Sequence, residues 1–169
     1  MDVQDAIRTR LTVRQFKSDP VPREIVNELL RAGQWSPSSR NLQPWHFIVI
    51  EDRDTLRQIG RIATSGSFVA DAPMAITIVM HDADRPELDA GRAIQQIELL
   101  AWDRGLGTCF VGLRVEEQNQ AVKELLSIPA DMELVTVLPF GYRPDNIKGV
   151  TRDRKPLSEI AHLGKFGQP

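Results

Sequence analysis

The sequence predicts a three-layer sandwich of helices and sheet, α+β or α/β. Three observations lead there. Segments with apolar residues at helical spacing take turns with short strand-like apolar runs, an order that suits stacked layers and not an all-β barrel. The 169 residues fit a single hydrophobic core, so one domain spanning 1–169 is expected. No repeat, low-complexity block or long linker offers a domain boundary.

Each element has a local reason. Residues 2–10 place Val3, Ile7 and Leu11 on one helical face. Pro20 and Pro22 punctuate the chain before "REIVNELLRAG", whose Ile25, Val26, Leu29 and Leu30 form a stripe that Gly33 can end. "HFIVIE" reads as a buried strand, "DRDTLRQIGRIA" returns to helical spacing through Leu56 and Ile59, and "MAITIVM" is a second strand after Pro73. From Pro86 to Arg104, Ala90, Ile94, Ile97 and Ala101 recur at helical intervals, and Leu99, Leu100 and Trp102 widen the stripe, as in a central, largely buried helix. "GLGTCFVG" leads from Gly105 into a third strand, "EEQNQAVKELLS" is a helix, and "ELVTVLPFGY" is a fourth strand. The tail from Arg143 begins irregular and basic.

Composition excludes several classes. A net charge of −2 and a pI near 5.9 argue against a general nucleic-acid binder. No apolar run reaches the length of a membrane span, and the first residues lack the basic start and apolar core of a secretory leader, so a cytoplasmic location is the expectation. Cys109 is the one cysteine, which rules out an intrachain disulfide.

The usual catalytic signatures are missing. No Gly-rich turn ends in Gly-Lys-Ser or Gly-Lys-Thr. Gly105-Leu106-Gly107 leaves a helix to enter a strand, the reverse of the order in a dinucleotide fold, and Phe110 stands where a third glycine belongs. His46, His81 and His162 have no ligand spacing with one another or with Cys109, so no metal site is expected. Cys109 reads as a packing thiol, and Ser36, Ser38 and Ser39 lack the glycines of a nucleophile elbow. Anion-binding groups without an acid–base or nucleophilic set suit a reaction carried by a bound cofactor.

Three stretches supply those groups. "RTRLTVRQF" sets Arg10 and Arg14 around the Thr12 hydroxyl, two charged forks and a donor suited to a phosphate or a carbonyl-rich ring edge. Arg152, Arg154 and Lys155 form a second cationic cluster near the other end. Between them, "SPSSRNLQPWHF" combines the stiffness of Pro37 with small side chains at Ser36, Ser38 and Ser39, a surface that a planar ligand can approach closely. Taken singly, each also reads as an ordinary solvated turn or connector.

Together they resemble the nitroreductase family of FMN-dependent oxidoreductases. Arg10, Thr12, Arg14 and Phe16 are similar to the family's Arg-x-Ser-x-Arg-x-Phe pattern, and "SPSSRNLQPWHF" resembles its signature loop. "DAPMAITIV", "GLGTCFVG", "LPFGY" and "RKPLSEI" follow in the family's order, so the resemblance spans nearly the whole chain.

The resemblance implies an α+β fold, a three-layer α/β/α sandwich forming an intertwined homodimer with two FMN sites built from both chains. By the same resemblance Arg10, Thr12, Arg154 and Lys155 would hold the FMN phosphate or ribityl chain, with Arg14 nearer the ring. Pro37, Ser38, Ser39 and Asn41 would reach the flavin from the partner subunit, and the backbone of Val111 and Gly112 would face it. The implied activity passes hydride from NADH or NADPH through flavin N5 to a nitroaromatic, quinone or similar small-molecule acceptor by a ping-pong scheme, with Arg14 as electrostatic support and no catalytic side chain. A flavin-binding or storage module with little turnover is the alternative. Thr12 stands for the usual serine, Leu11 occupies a place often polar, and Ser65 and Phe68 lie where some members carry an Asn and Lys pair.

Overall fold

The computed structural model describes residues 1–149 and 152–168. At its centre are four antiparallel strands in the order β1-β2-β4-β3: β1 (Trp45–Ile50), β2 (Met74–Met80), β3 (Leu106–Thr108) and β4 (Glu133–Tyr142). All seven residues of β2 are buried, because helices cover both faces of the sheet. That is why "MAITIVM" shows no polar alternation.

On one face, α2 (Arg23–Gln34) and α4 (Pro86–Asp103) pack Val26, Leu29, Ile94 and Ile97 against Ile76, Ile78 and Phe140. On the other, α3 (Arg53–Ile62) and α5 (Glu116–Leu125) pack Leu56, Ile59 and Val122 against Ala75, Val79 and Val137. The result is the expected α+β three-layer sandwich. Helix ends follow local chemistry: the Asp52 carboxylate accepts from the Thr55 N–H at 2.7 Å to start α3, and Pro86 opens α4. Gly105, at φ +80°, lets the chain turn out of α4 directly into β3.

The first helix, α1 (Val3–Thr9), lies against α4, pinned where the Trp102 indole donates to Thr9 Oγ1 at 3.0 Å. It buries Ala6, while Val3 and Ile7, grouped in sequence as one apolar face, are 71% and 63% exposed. The shared face exists, but it turns away from this protomer's core. After α1 the chain runs beside the edge strand β3. The Val13 N–H donates to the Thr108 carbonyl at 2.9 Å, Thr12 forms a parallel bridge with Thr108, and the Val13 side chain is buried.

The third strand is shorter than its sequence suggests. Its ladder stops at Thr108, and the chain regains contact with β4 through a bridge of Val111 to Val137, leaving Cys109 and Phe110 between. Two short 3-10 turns, Ser39–Asn41 and Ser67–Asp71, and a last helix, α6 (Leu157–Ile160), complete the chain.

Gly107 is required by the close approach of Val13, since a Cβ there would meet the Val13 side chain at 2.5 Å. Gly107→Ala should therefore destabilise the fold by about 1–3 kcal/mol, the usual cost of overpacking, measurable as a lowered denaturant midpoint at unchanged slope.

Candidate functional site

The first group of expected residues gathers along the outer edge of β3. Arg10 closes α1, and its Nη1 lies 3.4 Å from Glu98 Oε2 on α4, with side-chain exposures of 25% and 9%. Burial pushes the Glu98 carboxyl above the usual carboxylate range, and the Arg10 charge works against that rise. Thr12 stands beside Thr108, whose buried hydroxyl has no hydrogen-bond partner among the described residues. Arg14 is exposed, with its guanidinium carbon 5.8 Å from the centre of the Phe68 ring, within cation–π range. It also acts on the neighbouring Cys109: burial pushes that thiol up, and the Arg14 charge partly opposes it.

Val111 and Gly112 follow on the same edge. Val111 is held on β4 by its N–H to the Val137 carbonyl at 3.2 Å, and its own carbonyl accepts from Thr136 Oγ1 at 2.9 Å. Gly66 packs against it so tightly that a Cβ would meet Val111 at 2.4 Å. Gly112 is shared by two cavities, one of about 360 Å³ reaching Ile94 and Leu134, the other of about 470 Å³ bounded by Ser65, Arg114 and Gln118. Phe110, half exposed, lines both. A larger groove of about 550 Å³, between Asn27, Arg31 and Phe47, contains none of the expected residues.

The loop holding Pro37, Ser38, Ser39 and Asn41 sits elsewhere, against the N-terminal half of α4. The fully buried Asp89 carboxylate accepts from the Ser39 N–H at 3.1 Å, Ser36 Oγ donates to Gln96 at 2.8 Å, and Arg40 pairs with Asp84 at 2.6 Å. Arg40, Asn41 and Gln43 have φ of 48°, 57° and 51°, the left-handed region that non-glycine residues enter at a cost. The Gln43 N–H donates to Ser38 Oγ at 2.9 Å, which closes the strained turn from within. The loop is therefore a rigid ledge and not a slack connector.

Among the described residues, no hydrogen bond or ion pair joins this ledge to Arg10, Thr12 or Arg14. Nor does one join them to Arg154 and Lys155, which lie in an exposed tail where Arg154 donates to the adjacent Asp153 carbonyl. The protomer thus assembles Arg10, Thr12, Arg14, Val111 and Gly112 at one edge. Pro37, Ser38, Ser39, Asn41, Arg154 and Lys155 lie apart from them.

Sequence reasoning missed Glu98 and Asp89, the two buried carboxylates that position these groups. Both are visible as charges within the apolar periodicity of α4: Glu98 falls four residues after Ile94 and four before Trp102, on a face that should bury. Phe68 gives no such signal, because its meeting with Arg14 depends on how the turn after α3 folds.

The fold is α+β, with Thr12 and Arg14 held beside the edge strand β3. The Nitroreductase family model matches residues 7–83 and 65–142. A protein of Methanothermobacter thermautotrophicus, provisionally named NADH dehydrogenase/NAD(P)H nitroreductase, is 35% identical over 98% of this chain and 88% of its own. An NADH dehydrogenase of Thermus thermophilus is 33% identical, over 95% of each chain. The solved structure of an FMN-dependent nitroreductase from Clostridium difficile superposes with a TM-score of 0.89 at 26% identity, over 97% of this chain and 100% of that one. The chain belongs to the nitroreductase family.

The raised Cys109 pKa carries a direct consequence: less thiolate is present at neutral pH than for a free cysteine. Alkylation of the folded protein by iodoacetamide near pH 8 should be at least tenfold slower than that of the urea-unfolded chain, as followed by mass spectrometry.

Proposed function

We propose that this protein is an FMN-dependent oxidoreductase that takes electrons from NADH or NADPH and delivers them to an electron-poor small molecule, such as a nitroaromatic or a quinone. One observation carries the reading: Thr12 and Arg14 flank the buried Val13 beside β3, Arg10 caps α1 two residues before Thr12, and the buried Thr108 hydroxyl bridged by Thr12 has no partner among the described residues. The donor set fits FMN, which offers a phosphate for paired cation and hydroxyl and a carbonyl-rich ring edge for a second cation. The family and the FMN-dependent relative point the same way.

When bound, FMN supplies two-electron transfer, so the protein needs no nucleophile of its own. The chain's residues bind and orient. Arg10 and Thr12 hold the phosphate end, and Arg154 and Lys155 join them from the tail. Arg14 lends positive charge to the ring edge where electron density gathers on reduction, a preorganised stabilisation that Phe68 supports from beneath. The backbone of Val111 and Gly112 borders the ring, and the cavities on either side of Phe110 give nicotinamide and acceptor the same space in turn.

A homodimer completes this site. Pro37, Ser38, Ser39 and Asn41 of one protomer serve the flavin of the other. The apolar surface left uncovered supports the same arrangement. Leu157, Leu163 and Phe166 of the tail are 75%, 71% and 92% exposed, and Val3 and Ile7 of α1 are open as well, a set that a second copy would bury.

The direct test is anaerobic reduction of the FMN-loaded protein by NADH or NADPH, followed by addition of a nitroaromatic or quinone. Bleaching and then recovery of the yellow colour is expected. Bleaching that no acceptor reverses would favour a flavin store, and failure to take up FMN would overturn the proposal. Arg10→Gln should weaken FMN binding by about 10–100-fold, the worth of one charge-assisted contact, while leaving riboflavin affinity within about twofold. In sedimentation the wild-type protein should be a dimer, and replacing both Leu163 and Phe166 by Asp should shift it toward monomer.

A further inference from the structure

Arg10 has two claimants. The proposed phosphate is one, and Glu98 is the other. We propose that Glu98 is a proton-linked competitor for Arg10, so that binding of a phosphate-bearing flavin drives Glu98 to take up one proton. The inference rests on the FMN reading above and extends it to the regulation of that site.

The geometry sets up the competition. Glu98 projects from the middle of α4, its side chain nine-tenths buried, and its carboxylate receives no hydrogen bond among the described residues. Among the described residues the single cation paired with it is Arg10, at 3.4 Å and without an aligned hydrogen bond. A buried carboxylate compensated by one loose ion pair stays ionised only as long as that cation serves it. The neighbouring groups offer no substitute. On β3's side burial pushes the Cys109 thiol up, Arg14 is directed to Phe68 and Cys109, and Arg143, just after β4, is stacked 3.6 Å over the ring of Trp102 on α4 and donates to the Trp102 carbonyl.

A phosphate dianion on Arg10 brings about two negative charges to the guanidinium and draws that cation away from Glu98, and Arg154 and Lys155, meeting the phosphate from the tail, offset only part of its charge. The carboxylate then gains most by becoming neutral. Its starting point assists, because burial already raises its pKa. The sign follows by linkage. The FMN complex binds a proton more tightly at Glu98 than the free protein does, so FMN affinity is fully expressed at low pH and falls as pH rises between the two pKa values. One coupled proton sets a limit of about tenfold in Kd per pH unit. Riboflavin, which has the ring and lacks the phosphate, leaves the Arg10–Glu98 pair intact and shows no such coupling. A cell therefore meets a protein whose cofactor retention depends on pH through a residue that never touches the reacting ring.

The test measures Kd for FMN and for riboflavin by flavin fluorescence quenching between about pH 5.5 and 8.5, for the wild type and for Glu98→Gln. The flavin phosphate has its own second pKa of about 6, which is common to both proteins and cancels in their ratio. The ratio of wild-type to Glu98→Gln Kd for FMN should rise with pH by up to tenfold per unit, with the variant binding tighter at the alkaline end. The corresponding riboflavin ratio should stay flat. An FMN ratio that does not change with pH overturns the proposal, as does an equal slope with riboflavin. If neither protein binds FMN, the functional reading fails first. Calorimetry of the wild type alone in buffers of different ionisation enthalpy near pH 7.5 gives a second readout, independent of the variant's folding: net proton uptake with FMN and none with riboflavin is expected, and equal proton counts would overturn the proposal.

Discussion

The site depends on one backbone contact, the hydrogen bond from the Val13 N–H to the Thr108 carbonyl. It fastens an otherwise irregular segment to the edge of a three-residue strand, and the missing side chain of Gly107 lets the segment come close enough to form it. Because side chains alternate along an extended segment, burying Val13 turns Thr12 and Arg14 away from the core. One buried valine thus orients the polar groups on either side of it. The same contact shields an edge strand that would otherwise present unpaired backbone groups to solvent.

The central helix extends this control in two directions. Asp89 and Glu98 are nine residues apart, about 14 Å along the axis at about 1.5 Å per residue. Each is a buried carboxylate, and each meets a different segment: Asp89 holds the strained ledge, and Glu98 pairs with Arg10. Both sit in a helix packed into the core, which fixes where their backbones lie, while the Arg10 side chain is held by one loose ion pair. Buried charge generally costs stability unless it is well partnered. Among the described residues Asp89 has a backbone N–H and Arg92, and Glu98 has Arg10 alone, which marks Glu98 as the less settled of the two.

Much of this was legible in the sequence, and the failures have physical causes. The alternation of helical stripes and apolar runs is a short-range signal, and every major helix and strand it suggested is present. The strand after Gly105 ends sooner than its apolar run suggests: Val111 is as apolar as a ladder residue, yet the chain leaves the ladder at Cys109 and rejoins β4 by a single bridge. Val3 and Ile7 were rightly grouped on one face, but periodicity cannot say whether that face meets this chain's core or another surface. The cluster of Arg10, Thr12 and Arg14 was legible from its residue types. Its setting beside Glu98, Thr108 and Phe68 was not, since it arises from contacts between segments 50 to 100 residues apart, which no local pattern encodes.

The separation of the ledge from the β3 edge within one protomer has an energetic rationale. A ledge containing three left-handed non-glycine residues costs of the order of 1–3 kcal/mol for each, and that cost is met during folding by Asp84, Asp89 and the Ser38 hydroxyl. By the time a second copy and a flavin arrive in the proposed assembly, the surface they meet is already ordered, and little further conformational entropy is lost there. The tail differs: its apolar groups are open and Arg154 finds a partner no farther away than the next residue. In the proposed dimer ordering is thus divided, with the ledge held within the single chain and the tail gaining contacts on association. In the proposed dimer, assembly and cofactor binding would then reinforce each other, because the residues that close the cleft are the ones with least to hold them in the single chain.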